Sequence, residues 1–335
     1  MTQAQRVGQL FLVGIPVSGL DAADAGAIAT DHFGSVMFVG NTAAGAARIR
    51  AITSAAQSLA GGGVRLFVAA NQEGGEIQPL RGPGFAWMPS AVGQGALTTA
   101  TLRGLAAIWG RELAAAGVNL NLAPVMDVVP PGSAGQNAPI GALQREYGGV
   151  PGTVAAHGVA FIDGMRSAGV ATTAKHFPGL GRVRGNTDFT PDVVDTVTTA
   201  SDPYLAPFQA AIGADVPFVM VALATYTGID PYHLAAFSSR VMTGVLRQQM
   251  RFGGVIVSDD LGAAAAVANI SPGVRAIDFL DAGGDMITSQ STQTATGMYA
   301  AVLRKAAGDA AFRGRVTNAV RAILQAKAKY GLLPC

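Results

Sequence analysis

The feature of this sequence that most constrains its fold is an alternation of short apolar runs with longer alanine-rich segments, which continues along the whole chain. The apolar runs are rich in valine, isoleucine and phenylalanine and are too short for helices, so they are typical of buried strands. Strands that alternate with helices favour β-α units and a parallel sheet. We predict eight strands, at residues 10–13, 35–39, 66–70, 119–122, 171–174, 218–222, 255–258 and 285–288.

The alanine-rich segments have helical spacing and predict one helix after each strand, with one more at the end of the chain. Eight such units favour a closed barrel over an open doubly wound sheet, in which phosphate-binding glycines would follow the first strand. Residues 14–17 read GIPV, and no GxGxxG or P-loop opens a helix, so nucleotide binding has little support. We therefore predict an α/β fold, a (β/α)₈ TIM-type barrel, as a single domain over residues 1–335. The predicted helices are 22–30, 44–60, 101–117, 151–169, 204–213, 240–250, 274–283, 297–307 and 310–330.

Composition excludes several classes of function. The 23 basic and 21 acidic side chains give a net charge of +2 without a basic run, which argues against nucleic-acid binding. No apolar run reaches the roughly 20 residues of a membrane span. The apolar stretch 7–17 could be mistaken for the core of a signal peptide, but no convincing cleavage site follows it. We therefore expect it to form the end of a helix that leads into a first strand. The single cysteine, Cys335, allows no intramolecular disulfide.

A predicted strand ends in two carboxylates at residues 253–261, which read GGVIVSDDL. In (β/α)₈ barrels the active site lies at the carboxyl ends of the strands. Asp259 is therefore a candidate catalytic acid. The long irregular segments 72–95, 124–150 and 177–200 also follow strands and are expected on the same face.

Four further motifs accompany this one in a fixed order: QEGG at 72–75, NLAPVMD at 121–127, REYG at 145–148 and KHFPGLG at 175–181. Together the five motifs resemble glycoside hydrolase family 3. More narrowly, they resemble the one-domain bacterial β-N-acetylhexosaminidases (NagZ-type) that act on peptidoglycan fragments. The resemblance extends from about residue 7 to residue 330 and includes no second domain.

The resemblance implies a retaining exo-β-glycosidase, with an N-acetylglucosamine-containing glycan as substrate. One carboxylate would attack the anomeric carbon, and a second group would protonate the leaving oxygen and later activate water. Asp259 matches the nucleophile of the family, and Asp260 would orient neighbouring groups or cap a helix. No metal or organic cofactor is implied, and we expect a monomer. The matching sugar contacts are Lys175, His176, Arg145, Asn71 and Asp127.

Each of these contacts also has a purely structural interpretation. Lys175 could form an ion pair within the barrel, and His176 could be a hydrogen-bonded core histidine. Arg145 and Asp127 could form a salt bridge that stabilises a loop. The sequence leaves these alternatives open.

The most important departure from the family pattern concerns the acid/base. The family's KHFPG loop continues to an Asp-x-His dyad, whereas this chain has Asn186 and Asp188 at those two positions. Burial or the charge of Asp259 could raise the pKa of Asp188 enough for it to donate a proton. Alternatively, Arg182 and Arg184 could keep Asp188 ionised and inert.

Two other departures remove polar groups from the expected pocket. Asn71 stands where the family has an aspartate, and an amide lacks the stronger charge-assisted hydrogen bond. Glu76 replaces an arginine, and Leu223 replaces a histidine. Two rival functions follow: a sugar-binding protein without proton transfer, or an enzyme of different sugar specificity, including a phosphorylase that uses Arg182 or Arg184.

Overall fold

Eight parallel strands close into a barrel in the computed structural model, which describes residues 1–334; Cys335 lies outside the described residues. The strand order around the barrel is β1, β2, β3, β4, β5, β7, β10, β11 and back to β1, which confirms the predicted (β/α)₈ fold. The strands, in chain order, are β1 Phe11–Pro16, β2 Ser35–Val39, β3 Phe67–Ala70, β4 Leu120–Asn121, β5 Ala171–Phe177, β6 Val194–Thr199, β7 Phe218–Val221, β8 Thr225–Gly228, β9 Asp230–Leu234, β10 Val255–Asp260 and β11 Met286–Ser289.

The barrel strands are buried on both faces, because side chains fill the interior and helices cover the outside. Strands β3, β7 and β11 are buried along their entire length. This explains why β3 and β7 appear in the sequence as continuous apolar runs without alternation. Phe11 pairs with Ile287 where β1 meets β11, so the first and last strands close the barrel.

The helices surround the barrel, and all nine predicted ones are present. The helix end expected before the first strand is that of α1, whose N-terminus has a capping box between Thr2 and Gln5; the short α4 is additional. Residues 240–250, predicted as a helix, are wound as a π-helix. The helices are α1 Gln3–Gln9, α2 Ala22–Thr30, α3 Gly45–Ser58, α4 Ala91–Gly95, α5 Thr99–Ala115, α6 Pro151–Ser167, α7 Ala206–Gly213, the π-helix Arg240–Gln249, α8 Pro272–Asp281, α9 Thr292–Gly308 and α10 Ala310–Lys329. None of the helices described combines the length and the apolar character needed to cross a bilayer.

Strands β5 and β10 extend further than the sequence predicted. Lys175 and His176 belong to β5, and Asp259 and Asp260 belong to β10. Charged side chains indicated the ends of these strands in the sequence. In the structure the backbone continues to pair with neighbouring strands, with irregular register, while these side chains lie at the carboxyl end of the barrel.

A second, three-stranded sheet lies outside the barrel and was not predicted. Strand β6 pairs in parallel with β8, and β8 pairs antiparallel with β9. The expectation that residues 177–200 are irregular was therefore wrong for β6. Its polar, mostly exposed sequence does not look like a barrel strand, and its partner lies in a different loop. The loops after β5 and β7 supply all three strands, so the sheet stands at the carboxyl end of the barrel.

Candidate active site

A buried cluster of charges lies at the carboxyl end of β3 and β5, with Glu73 at its centre. The Glu73 carboxylate accepts two hydrogen bonds from Arg145, each 2.8 Å long, and lies 2.6 Å from Nζ of Lys175. The Lys175 and Glu73 side chains are 3% and 4% exposed. Nζ of Lys175 also donates to Oδ1 of Asn71 over 2.9 Å. The structure thus brings together Asn71, Lys175 and Arg145, as expected for residues that were all predicted to contact one sugar.

The charges in this cluster stabilise one another. Burial alone would raise the pKa of Glu73, but the positive charges and hydrogen bonds of Arg145 and Lys175 outweigh it and lower that pKa to about 2. Burial would lower the pKa of Arg145, and Glu73 more than offsets this, so that pKa is raised. Burial dominates for Lys175, whose pKa is lowered despite the neighbouring Glu73. Glu73 was part of a quoted motif, but its role was missed, because the sequence does not show that two cations converge on it.

Asp127 lies behind His176, where it is fully buried. Its Oδ2 is 2.8 Å from Nδ1 of His176, a distance that fits donation from an Nδ1–H group to the carboxylate. Its Oδ1 accepts the backbone N–H groups of His176 and Leu180. Nε2 of His176 therefore faces the other way, 3.5 Å from the Arg145 guanidinium. Asp127 therefore orients His176 and the start of the loop that follows β5.

The alternative interpretation, in which Arg145 and Asp127 form a salt bridge with each other, is wrong. Arg145 pairs with Glu73, and Asp127 pairs with His176. Lys175 does form an ion pair, as the structural interpretation proposed. The pair lies among the predicted sugar contacts, and the charge of Asp259 contributes to the pKa of Lys175. Of the other replaced family positions, Leu223 is fully buried and Glu76 is exposed.

Asp259, the penultimate residue of β10, lies on the same face of the barrel and is partly exposed. Its Oδ1 accepts the backbone N–H of Asp260 over 2.9 Å. Asp260 is buried, and its Oδ1 accepts the N–H groups of Gly262 and Gln290, so it fixes the turn after β10. Burial, with a smaller contribution from Asp259, raises the pKa of Asp260 above its usual value.

The loop between β5 and β6 brings Asp188 towards Asp259. Backbone hydrogen bonds from Ala265 to the carbonyl of Asp188 and from Ala266 to that of Thr187 attach this loop to the turn after β10. The Asn186 side chain accepts the N–H of Asp188 over 3.0 Å. Asp188 as a residue is exposed to solvent at the edge of the site. Surrounding protein atoms nevertheless desolvate its carboxyl and, with the negative charge of Asp259, raise its pKa to about 6, against the opposing effect of His176 and Arg145.

Neither loop arginine forms an ion pair with Asp188 within residues 1–334. Arg182 instead pairs with Asp202 over 2.6 Å and stacks on the Tyr204 ring at 3.7 Å. Arg184 is exposed. The alternative in which these two arginines keep Asp188 ionised is therefore not what the structure shows. Among residues 1–334, no group of three or more His, Cys, Asp or Glu side chains is arranged to hold a metal ion.

The sequence model of the "Glycosyl hydrolase family 3 N terminal domain" matches residues 2–326. With its closed barrel and the carboxylates at one end, the chain belongs to glycoside hydrolase family 3, a class of sugar-cleaving enzymes. It is 31% identical over 322 residues to a protein named beta-hexosaminidase from Xylella fastidiosa strain M23, a match that covers 93% of this chain and 92% of that protein.

Solved structures show the same relationship. The chain is 47% identical to a structure described as β-N-acetylhexosaminidase from Beutenbergia cavernae DSM 12333, with a TM-score of 0.96 over 98% of this chain and 99% of that one. A family 3 β-N-acetylglucosaminidase from Paenibacillus sp. FPU-7 is 28% identical, with a TM-score of 0.88 over 99% of this chain and 63% of that one. These matches confirm the family assigned from the five sequence motifs.

Proposed function

We propose that this glycoside hydrolase is a retaining exo-β-N-acetylglucosaminidase in which Asp259 is the nucleophile and Asp188 the acid/base. The observation that carries the proposal is the arrangement of these two acids. Asp259 lies at the carboxyl end of a barrel strand, near the buried charge cluster around Glu73, and the attached loop holds Asp188 close enough for the charge of Asp259 to raise the pKa of Asp188. The names of the relatives from Xylella, Beutenbergia and Paenibacillus support the choice of sugar.

In the first step, an oxygen of the Asp259 carboxylate attacks the anomeric carbon and the bond to the leaving oxygen breaks. Asp188 gives its proton to that oxygen, so a neutral alcohol departs and a glycosyl-Asp259 ester remains. In the second step, the Asp188 carboxylate takes a proton from water as the water oxygen attacks the same carbon. The sugar and the free Asp259 carboxylate are released, with retained configuration.

The buried charge cluster around Glu73 would hold the sugar by the hydroxyl and acetamido groups of that sugar. Lys175 and Arg145 present donors that are fixed by Glu73, and His176 is oriented by Asp127. Asn71 accepts from Lys175 and keeps its amide N–H₂ group available for a sugar oxygen. Groups fixed in this way before the substrate arrives lose little entropy on binding.

The nucleophile is tested by Asp259→Ala, assayed on an aryl β-N-acetylglucosaminide. Activity should disappear, whereas Asp163→Ala, which removes a partly exposed surface carboxylate from α6, should leave it intact. Undiminished turnover by the Asp259 variant would refute the assignment.

The acid/base is tested by Asp188→Asn, with Asp192→Asn as a matched change at an exposed position of the same loop. General acid catalysis contributes about 10²–10⁴-fold, so the Asp188 variant should lose that factor on an unactivated disaccharide. A dinitrophenyl glycoside needs no protonation, so it should still form the glycosyl-Asp259 ester, and azide should release it as a β-glycosyl azide. A sugar-binding protein without proton transfer would instead bind the sugar and give neither turnover nor adduct in the parent protein.

The pH dependence gives an independent test. Asp188 must be protonated for the first step, and its pKa is raised to about 6, so kcat/KM on the disaccharide should fall as the pH rises above about 6. Asp188→Asn should abolish this limb of the profile. A limb unaffected by the substitution would assign proton transfer to another group.

A phosphorylase would need a site for phosphate. Of the two candidate arginines, Arg182 is engaged by Asp202 and Tyr204, and Arg184 is exposed to solvent. We therefore favour water as the acceptor, which equal rates with and without phosphate would support.

We also propose that the natural substrates are N-acetylglucosamine-terminated peptidoglycan fragments, cleaved by a monomer; the family resemblance supports this. Purified muropeptides should then be cleaved more efficiently than chitin oligosaccharides, and light scattering should give the mass of one chain.

A further inference from the structure

Phe189 is the most exposed large apolar side chain in the part of the chain that the structure describes, with 81% of its surface open to solvent. Scattered exposed hydrophobic residues are normal on protein surfaces, so exposure alone indicates nothing. The position of Phe189 is what matters, because it directly follows Asp188 in the loop between β5 and β6.

The backbone around Phe189 is well fixed. The N–H groups of Phe189 and Thr190 both donate to the carbonyl of Asn186, over 3.0 and 2.8 Å. The Asn186 side chain accepts the N–H of Asp188, and the Asp188 carbonyl accepts from Ala265 in the turn after β10. These bonds close a turn and attach it beside the nucleophile strand. The Phe189 ring is therefore carried on an anchored turn at the edge of the site.

The geometry of the reaction determines what lies next to this turn. The proton of Asp188 goes to the leaving oxygen, so the leaving group must extend from the sugar towards Asp188. Consecutive Cα atoms are about 3.8 Å apart, so the solvent-exposed Phe189 is held directly beside the acid, at the edge of the site towards which the leaving group extends. An exposed aromatic face can stack on the apolar C–H face of a pyranose ring.

We propose that Phe189 forms the binding platform for the first ring of the leaving group, so that the enzyme discriminates in favour of leaving groups that begin with a pyranose. This inference rests on the proposed function, since it takes its direction from Asp188 as the acid. It assigns leaving-group recognition to the β5–β6 loop, whereas the buried cluster around Glu73 recognises the sugar that is released from the ester.

Trp87 provides a matched control. It is an aromatic side chain of similar exposure, 72%, on a loop that follows another barrel strand. The preceding residue, Ala86, donates its N–H to Glu112 over 3.0 Å, near the end of α5 on the outside of the barrel. The Trp87 loop is thus attached to an outer helix and not to the turn that follows the nucleophile.

The test compares kcat/KM for two substrates, N,N′-diacetylchitobiose and methyl β-N-acetylglucosaminide, in the parent protein and in Phe189→Ala, Phe189→Trp and Trp87→Ala. Aromatic contacts contribute a factor of about 2–12, so Phe189→Ala should lose roughly that factor on the disaccharide. Its rate on the methyl glycoside, which has no second ring, should change by less than about twofold on the same scale. Phe189→Trp should retain the preference, and Trp87→Ala should behave as the parent.

Equal losses on both substrates would mean that Phe189 only supports the loop, and no loss on either would mean that it touches nothing; both results overturn the inference. If the parent cleaves neither glycoside, or if Asp188→Asn keeps full activity, the proposed function fails and the inference fails with it. If the parent and Asp188→Asn behave as proposed while Phe189→Ala shows no selective loss, only the inference fails.

Discussion

Two buried lysines at opposite ends of the barrel have different partners. Lys175, at the carboxyl end, pairs with the Glu73 carboxylate and an amide oxygen. Lys327, in α10, is fully buried at the other end, and its Nζ donates to Oε1 of Gln9 and to the carbonyl of Gly34, both over 2.7 Å. The Phe67 ring lies 6.0 Å away. Among residues 1–334, no carboxylate pairs with Lys327.

The difference shows what each end of the barrel does. With neutral partners only, burial lowers the pKa of Lys327 to about 7, so it can join α10 to α1 and to the residue before β2 without a permanent charge. Lys175 lies within a set of charges that also includes Arg145 and the nearby Asp259. In barrels of this type the carboxyl face carries activity and the opposite face carries stability. The following predictions test that division, from the largest expected effect to the smallest.

Glu73→Gln should have the largest effect, because it leaves two buried cations without a charge partner. Breaking a buried ion pair in this way costs about 3–5 kcal/mol of unfolding free energy. Urea unfolding at pH 7 would measure it, with Glu112→Gln on the outer helix α5 as the control. Because the folded pKa of Glu73 is about 2, the stabilisation in the parent is present above the unfolded value of 4.5 and is lost as the pH falls towards 2. A variant as stable as the parent would show that Lys175 and Arg145, like Lys327, need no carboxylate.

Lys175→Met and Lys327→Met form a matched pair of substitutions. Hydrogen bonds to charged groups are worth about 1.5–3 kcal/mol, so Lys175→Met should lower kcat/KM by roughly 10- to 100-fold. Lys327→Met should leave kcat/KM unchanged when measured below the unfolding temperature. Steady-state kinetics on one aryl glycoside would decide, and equal kinetic losses in the two variants would break the division between the ends.

The stability of the parent should rise with pH between about 7 and 10. The pKa of Lys327 is lowered from 10.5 to about 7 on folding, so in that range the unfolded chain binds more protons than the folded chain. The expected slope is about 1.4 kcal/mol per pH unit, and it should disappear below about pH 7, where both states are protonated. Lys327→Met should remove this contribution. The measurement is the difference between the two stability profiles, and parallel profiles would contradict it.

Gln9→Ala should have the smallest effect. It removes one of the two acceptors of Lys327 and leaves the carbonyl of Gly34. The loss of one such hydrogen bond costs about 1 kcal/mol, seen as a lower midpoint of thermal unfolding with unchanged kcat/KM. A change in kcat/KM would show that the two ends are coupled.

Much of the fold could be predicted from the sequence, because barrel strands buried on both faces form continuous apolar runs such as residues 218–222. The second sheet could not, since β6 is polar and its pairing with β8 depends on two loops that are distant in sequence. For the site, a strand ending in Asp259 was informative by itself. Glu73 was not, because its meaning depends on Arg145, 72 positions away in the chain.

The sequence by itself determined the barrel and the family, since both follow from local patterns: strand-helix alternation and short motifs in a fixed order. Only the tertiary structure decided which charges pair. It also decided whether arginines keep Asp188 ionised or burial and the charge of Asp259 raise its pKa. The physical reason is that pairing and desolvation depend on distances between residues far apart in sequence, which are set when the barrel closes.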